Sequence, residues 1–146
     1  MGIVKFQAER FTPFLIFQIL AVVLIIIVMM LWPGEWNVSR WIGLMLALSS
    51  AILLIIARYQ IGRSFSVTPQ ARELVTHGLY SKIRNPIYVF AGLFALGVLL
   101  VLQMPVLFIL FAIMIPVQIV RARQEAKVLE NKFGDAYREY RKTTWF

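Results

Sequence analysis

Residues 13–32, PFLIFQILAVVLIIIVMMLW, form a run of 20 residues in which Gln18 is the only strongly polar side chain. As a helix, 20 residues span about 30 Å, the thickness of the hydrocarbon core of a bilayer. A lone strand of this composition would leave its backbone unpaired in lipid, so helix is the form that such a run takes. The run is too long for the apolar part of a secretory leader, and the following WPGEWNVSR has no small-x-small cleavage site, so it reads as a retained span. Three further apolar stretches follow, at 41–57, 86–102 and 105–120. They are separated by Trp32-Pro33-Gly34-Glu35-Trp36, by a polar loop over 58–85, and by the short break Gln103-Met104-Pro105. Proline and glycine break helices, and tryptophan suits the membrane interface.

Composition agrees with a lipid solvent. Apolar residues make up 60% of 146 and the mean hydropathy is +0.77. A soluble chain of this size has too little interior for that much apolar surface. The formal charge of +8 suggests either nucleic acid or membrane orientation. Placement favours orientation. With four spans, fourteen Lys and Arg fall on one side and one, Arg40, on the other. The positive-inside rule then places both termini and the 58–85 loop in the cytosol, with the plasma (inner) membrane as the expected home. Nucleic acid is not needed to explain the charge. The absence of cysteine excludes disulfides and thiol chemistry, and a single histidine excludes a His-rich metal site.

The expected architecture is therefore all-α: one polytopic domain of four transmembrane helices over residues 1–146, with a cytosolic loop at 58–85 and a cytosolic tail at 121–146. Pro86 suits the first turn of the third helix. Ala91 and Ala95 form a small-xxx-small pair open to a neighbouring helix. Pro116 should kink the last span. In the tail, Leu129, Phe133, Tyr137 and Tyr140 recur at helical spacing, which predicts an amphipathic helix, with Gly134 marking a bend.

The chemistry concentrates in two segments. LVTHGLYSKIRNPIY, residues 74–88, places two tyrosines, an arginine and an asparagine at the edge of the third span. Gly78 suits a turn with positive φ, and His77 beside it reads as a solvated loop residue. Arg121 and Glu125 share a helix face where the fourth span leaves the membrane. As a surface ion pair they would be worth little. Ionisable groups at that depth, however, are commonly functional. There is no GxGxxG, P-loop or HExxH.

The order of these pieces resembles the integral-membrane methyltransferases related to isoprenylcysteine carboxyl methyltransferase and the phospholipid N-methyltransferases. The pattern there is LVTxGxYxxxRHPxY, a helical hairpin, then R…EE and FGxxYxxY. Here it reads LVTHGLYSKIRNPIY, Arg121, Glu125-Ala126 and FGDAYREY. The resemblance implies S-adenosylmethionine as cofactor, bound without a Rossmann fold. By position its contacts fall at Arg72, Glu73, Leu74, Val75, Tyr80, Asn85, Pro86, Ile87, Tyr88 and Glu125. Arg121 would orient the acceptor, so Arg121 and Glu125 are the implied catalytic pair. No metal is implied. The acceptor would be a lipid or another apolar small molecule; carboxylate and amine acceptors stay open, as does oligomeric state. Two positions depart from the pattern: Asn85 stands for the His of RHP, and Ala126 for the second Glu. Alternatives are an NADPH-dependent sterol-type reductase and a non-catalytic small membrane protein.

Overall fold

The structure is a computed structural model that describes residues 13–62 and 74–146. Among the described residues there are five helices: α1 (Pro13–Leu31), α2 (Val38–Ile61), α3 (Pro86–Leu102), α4 (Pro105–Phe133) and α5 (Asp135–Thr143). A 3₁₀ turn, Gly78–Ser81, precedes α3. No strand occurs among the described residues, only an isolated parallel bridge between Ile83 and Trp145. Helices α1, α2 and α4 are long and apolar enough to cross a membrane, and α3 is a shorter apolar helix of 17 residues. This is the architecture of a helical membrane protein.

Local chemistry sets the helix ends. After α1 the chain turns through Gly34, whose φ of +113° is open to glycine alone without strain. Asn37 then caps α2, its side chain accepting the Arg40 N–H at 3.0 Å. Arg40 lies inside this turn. It is buried, and its guanidinium donates to the carbonyls of Pro33 at 2.6 Å, Gly34 at 3.1 Å and Trp32 at 3.2 Å. The α3–α4 break is similar in kind. Gln103 takes a left-handed φ of +54° and ends α3, and Pro105 opens α4. The Asn37 and Gln103 side chains bond to each other at 3.2 Å, so both turns lie at one end of the bundle.

The core sits between α2 and α3. Their closest approach is at Gly43 and Gly97. A Cβ built on Gly97 would lie 2.6 Å from the Ala47 nitrogen and 2.7 Å from the Gly43 carbonyl oxygen, both backbone atoms. Small residues let two helices meet backbone to backbone, which is how packing holds helices together in lipid. The close approach therefore falls at Gly43, Ala47 and Gly97, whereas Ala91 and Ala95 are only half-buried. Leu44, Ala51, Phe94 and Val101 surround it, and α1 adds Val22 and Met29. By contrast α4 buries only Ala122. Its side chains Val106, Ile109, Leu110, Ile113 and Val117 are exposed, as lipid-facing residues are.

One helix boundary differs from the expectation, and the continuation of the last span into the tail agrees with it. Arg58 was expected to close the second span, yet α2 runs on to Ile61 and Arg58 is buried. Its charge is satisfied inside the protein, so it does not mark a water boundary. Helix α4 runs through Pro116 without interruption and carries the tail as far as Phe133. Gly134, at φ +51°, then makes the bend into α5.

Candidate functional site

The polar residues gather at the bundle end opposite the Arg40 turn. Three segments meet there: the end of α2, the 74–85 stretch with the start of α3, and the last turns of α4 with α5. The central contact is between Tyr88, in the first turn of α3, and Glu125 on α4. The phenol donates to Glu125 Oε1 at 2.5 Å. Pro86 at the first position of α3 aims that turn, its missing N–H being one the helix leaves unpaired anyway.

Tyr80 lies beside this pair. It is 5% exposed, and its hydroxyl has no hydrogen-bond partner among the described residues. Burial pushes its phenol well above the usual range, and Tyr140 and Glu125 push in the same direction while Arg58 opposes. The Tyr80 carbonyl accepts the Tyr140 hydroxyl at 2.6 Å, which anchors α5 on the loop. Tyr140 itself is pushed up to about 12, first by burial and then by Tyr137.

Two further ties fix the loop. The Gln60 side chain, at the end of α2, accepts the Leu79 N–H at 2.8 Å. It packs on Gly78, whose φ of +61° is the positive value expected for that turn, while His77 is exposed. From the other side, Trp145 and Phe146 run along Lys82–Asn85 as a short strap. Arg84 N–H donates to the Trp145 carbonyl at 3.0 Å, Asn85 N–H to the Phe146 carbonyl at 2.8 Å, and Trp145 N–H to the Lys82 carbonyl at 3.1 Å. The loop is thus held at its start by α2, at its centre by Tyr140 and at its end by the strap.

Of the residues singled out from sequence, Tyr80, Tyr88 and Glu125 come together, and Arg121 is close enough that its charge acts on both Tyr88 and Glu125. Asn85 immediately precedes α3, and its side chain makes no capping bond, so its amide faces no backbone duty. Pro86 is buried, and Leu74, Val75 and Ile87 are half-buried along the same stretch. Arg72 and Glu73 lie outside the described residues. No cluster of metal-ligating side chains occurs among the described residues.

Sequence reasoning did not single out Arg58, Gln60 or Gln18 for the site. The Arg58 Nε donates to Gln18 Oε1 at 2.9 Å, its Nη1 donates to the Gly62 carbonyl at 3.0 Å, and its guanidinium stands 5.7 Å from the Phe14 ring. Gln18, the one strongly polar side chain of the first apolar run, was the available signal.

Together the fold and this cluster define a class: a small helical membrane protein with a carboxylate, tyrosines and arginines assembled at one end of its bundle. A family model described as Phospholipid methyltransferase matches residues 38–136, the greater part of the chain and all of the core from α2 onward. The chain belongs to the phospholipid methyltransferase family. Comparison with curated proteins finds no match to the chain.

Proposed function

We propose that the protein transfers a methyl group from S-adenosylmethionine to the amine headgroup of a membrane phospholipid. Four spans would carry the site, with both termini and residues 58–85 and 121–146 on the cytosolic side of the plasma (inner) membrane. Membership of a phospholipid methyltransferase family supports the reaction class. The Tyr88–Glu125 bond of 2.5 Å is the observation that carries the site.

The residues present suit such a cofactor. A buried hydroxyl without a partner among the described residues, as on Tyr80, is the kind of group that a polar ligand satisfies. The second carboxylate oxygen of Glu125 is available for a hydroxyl or ammonium group, while Tyr88 holds the first in place. Aromatic faces at Tyr80 and Tyr88 suit an adenine ring or a cationic sulfur. When bound, S-adenosylmethionine supplies a methyl carbon on a positively charged sulfur, whose carbon–sulfur electron pair leaves with the sulfur as the acceptor's lone pair forms the new bond.

Such a displacement needs alignment above all. Arg121 can hold the phosphate of the acceptor through its guanidinium fork. An ammonium must first release a proton before its nitrogen can attack. Among the described residues Glu125 is the carboxylate whose charge acts on both Tyr80 and Tyr88, and it is the group that would take that proton. Asn85 cannot take it, because an amide does not titrate in this range.

The test is calorimetric titration of the purified protein with S-adenosylhomocysteine, with Glu125→Ala and Tyr88→Ala alongside. Micromolar binding by the wild type, lost in both variants, is the expected result. Wild-type affinity in Glu125→Ala would remove this site from consideration. No binding by folded wild type would end the methyltransferase proposal.

A further inference from the structure

Two of the polar side chains within the apolar helices bond back into the protein. Gln18 on α1 accepts from Arg58, and Ser49 on α2 bonds back to the Met45 carbonyl at 2.9 Å. Gln118 on α4 makes no hydrogen bond among the described residues, although it is half-buried. It leans on α3 at Gly92: a Cβ built on that glycine would stand 3.7 Å from Gln118 Oε1 and 3.9 Å from Ile115 Cδ1. A primary amide in an apolar span is unfavourable while it lacks a partner. Polar groups at such depth are commonly functional.

Gln118, Arg121 and Glu125 lie three and four residues apart on a continuous helix, so they share one face. At 1.5 Å per residue, Arg121 sits about 6 Å deeper than Glu125, and Gln118 about 4.5 Å deeper again. The headgroup layer of one leaflet is about 5–8 Å thick, the difference between the full bilayer and its hydrocarbon core shared between two sides. With Glu125 a few Å outside that layer, on its water side, a group about 10 Å below it is at the level where headgroup gives way to acyl chain. Along this face the chemistry runs carboxylate, guanidinium, amide. A glycerophospholipid lying against it runs amine, phosphate, ester carbonyl.

We infer that Gln118 is a specificity-determining residue, its amide N–H donating to an ester carbonyl of a diacyl glycerophospholipid that lies along α4. The inference rests on the proposed phospholipid reaction and names the part of the substrate that the reaction does not touch. Below Gln118 the same face carries Ile115, Met114, Phe111 and Leu107, three, four, seven and eleven residues earlier, all apolar and half-buried, and these continue the path for the acyl chains. An ether-linked lipid keeps the headgroup and chains but lacks the carbonyl. It isolates the proposed bond.

The test compares dioleoyl phosphatidylethanolamine with its dialkyl-ether analogue, each in mixed micelles with the wild type, Gln118→Met and Gln118→Leu. Initial rates give KM and kcat, and S-adenosylhomocysteine titration reports folding and cofactor binding. For the wild type the KM for the ester lipid is expected to be about tenfold below that for the ether lipid, the worth of one hydrogen bond of about 1.4 kcal/mol. Both variants should raise the ester KM to the ether value, with kcat and S-adenosylhomocysteine affinity retained. An ester-to-ether ratio of one in the wild type would overturn the assignment, as would a ratio unchanged in both variants. Loss of S-adenosylhomocysteine binding in both variants would replace it with a structural role. Wild type that binds S-adenosylhomocysteine but turns over neither lipid would refute the phospholipid acceptor and Gln118's role with it. Wild type that binds none would refute the methyltransferase site itself.

Discussion

The Tyr88–Glu125 bond sets the most direct expectation for the site. Tyr88→Phe removes one oxygen and leaves the ring, so packing against the start of α3 is conserved. The lost bond is short, 2.5 Å, and its acceptor is a carboxylate. Hydrogen bonds to charged groups contribute about 1.5–3 kcal/mol when well shielded. Glu125 is only half-buried, so water replaces part of the loss and the lower end of that range applies. If the phenol holds Glu125 in the orientation that binds the cofactor, Tyr88→Phe should weaken S-adenosylhomocysteine about tenfold, which corresponds to about 1.4 kcal/mol. Glu125→Gln should weaken it at least as much. In Tyr88→Phe/Glu125→Gln the second change should add little, because the two side chains act as one unit. The assay is a calorimetric double-mutant cycle, in which contacting residues show interaction energies above about 0.5 kcal/mol. Additive losses within that margin would refute the claim that Tyr88 acts through Glu125.

Three further outcomes follow from the geometry. Gly97→Ala places a methyl group against the backbone of Gly43 and Ala47, which no side-chain rotation relieves; it should cost about 1–3 kcal/mol of stability, seen as a lower thermal midpoint in detergent, whereas Gly134→Ala meets no atom within 4 Å and is opposed only by its φ of +51°. Arg40→Met leaves the carbonyls of Trp32, Pro33 and Gly34 without their donor and should cost about 2–4 kcal/mol, with S-adenosylhomocysteine affinity of the folded fraction unchanged because the turn is at the far end of the bundle. Tyr140 is neutral in the fold up to about 12 but ionises near 10 when unfolded. Its contribution to stability is therefore complete below pH 10 and lost as pH rises toward 12. Tyr140→Phe should show a shallower fall in thermal midpoint from pH 9.5 to 11.5, with the remaining slope due to Tyr80 and Tyr137, which burial shifts the same way.

The helical architecture was legible because its signals are local. An apolar run, a proline at a first turn and a glycine at a bend each act within a few residues. Thus the break at Gln103-Met104-Pro105 and the bends at Gly78 and Gly134 could be placed from the letters alone. The segments that meet around Tyr88 and Glu125 were singled out by their resemblance to the family pattern, and the structure brings Tyr80, Tyr88 and Glu125 together. Contacts that join distant residues were not legible. Nothing near Gly43 says that Gly97 will meet it, because every span contains small residues and the crossing depends on how two helices face. The burial of Arg58 was hidden for the same reason: a basic residue at the end of an apolar run ordinarily marks the water boundary, and only Gln18 and Phe14 on another helix turn it inward. The strap at Trp145 and Phe146 carries no pattern, since its bonds are all to backbone atoms.

The backbone contact between Gly43 and Gly97 bears on how the protein is made. Helix α2 enters the bilayer before α3 has been synthesised, with residues 62–85 still to come between them. Until α3 arrives, the shallow groove at Gly43 and Ala47 is filled by acyl chains. Each helix is stable alone in lipid, and docking then exchanges loosely fitting chains for a close backbone fit. No water is expelled at that step, so shape alone selects the partner. A substitution at the groove therefore acts on assembly within the membrane while leaving insertion intact. Such a variant would be present at full length in the membrane fraction and still lack the end of the bundle where Tyr88 meets Glu125.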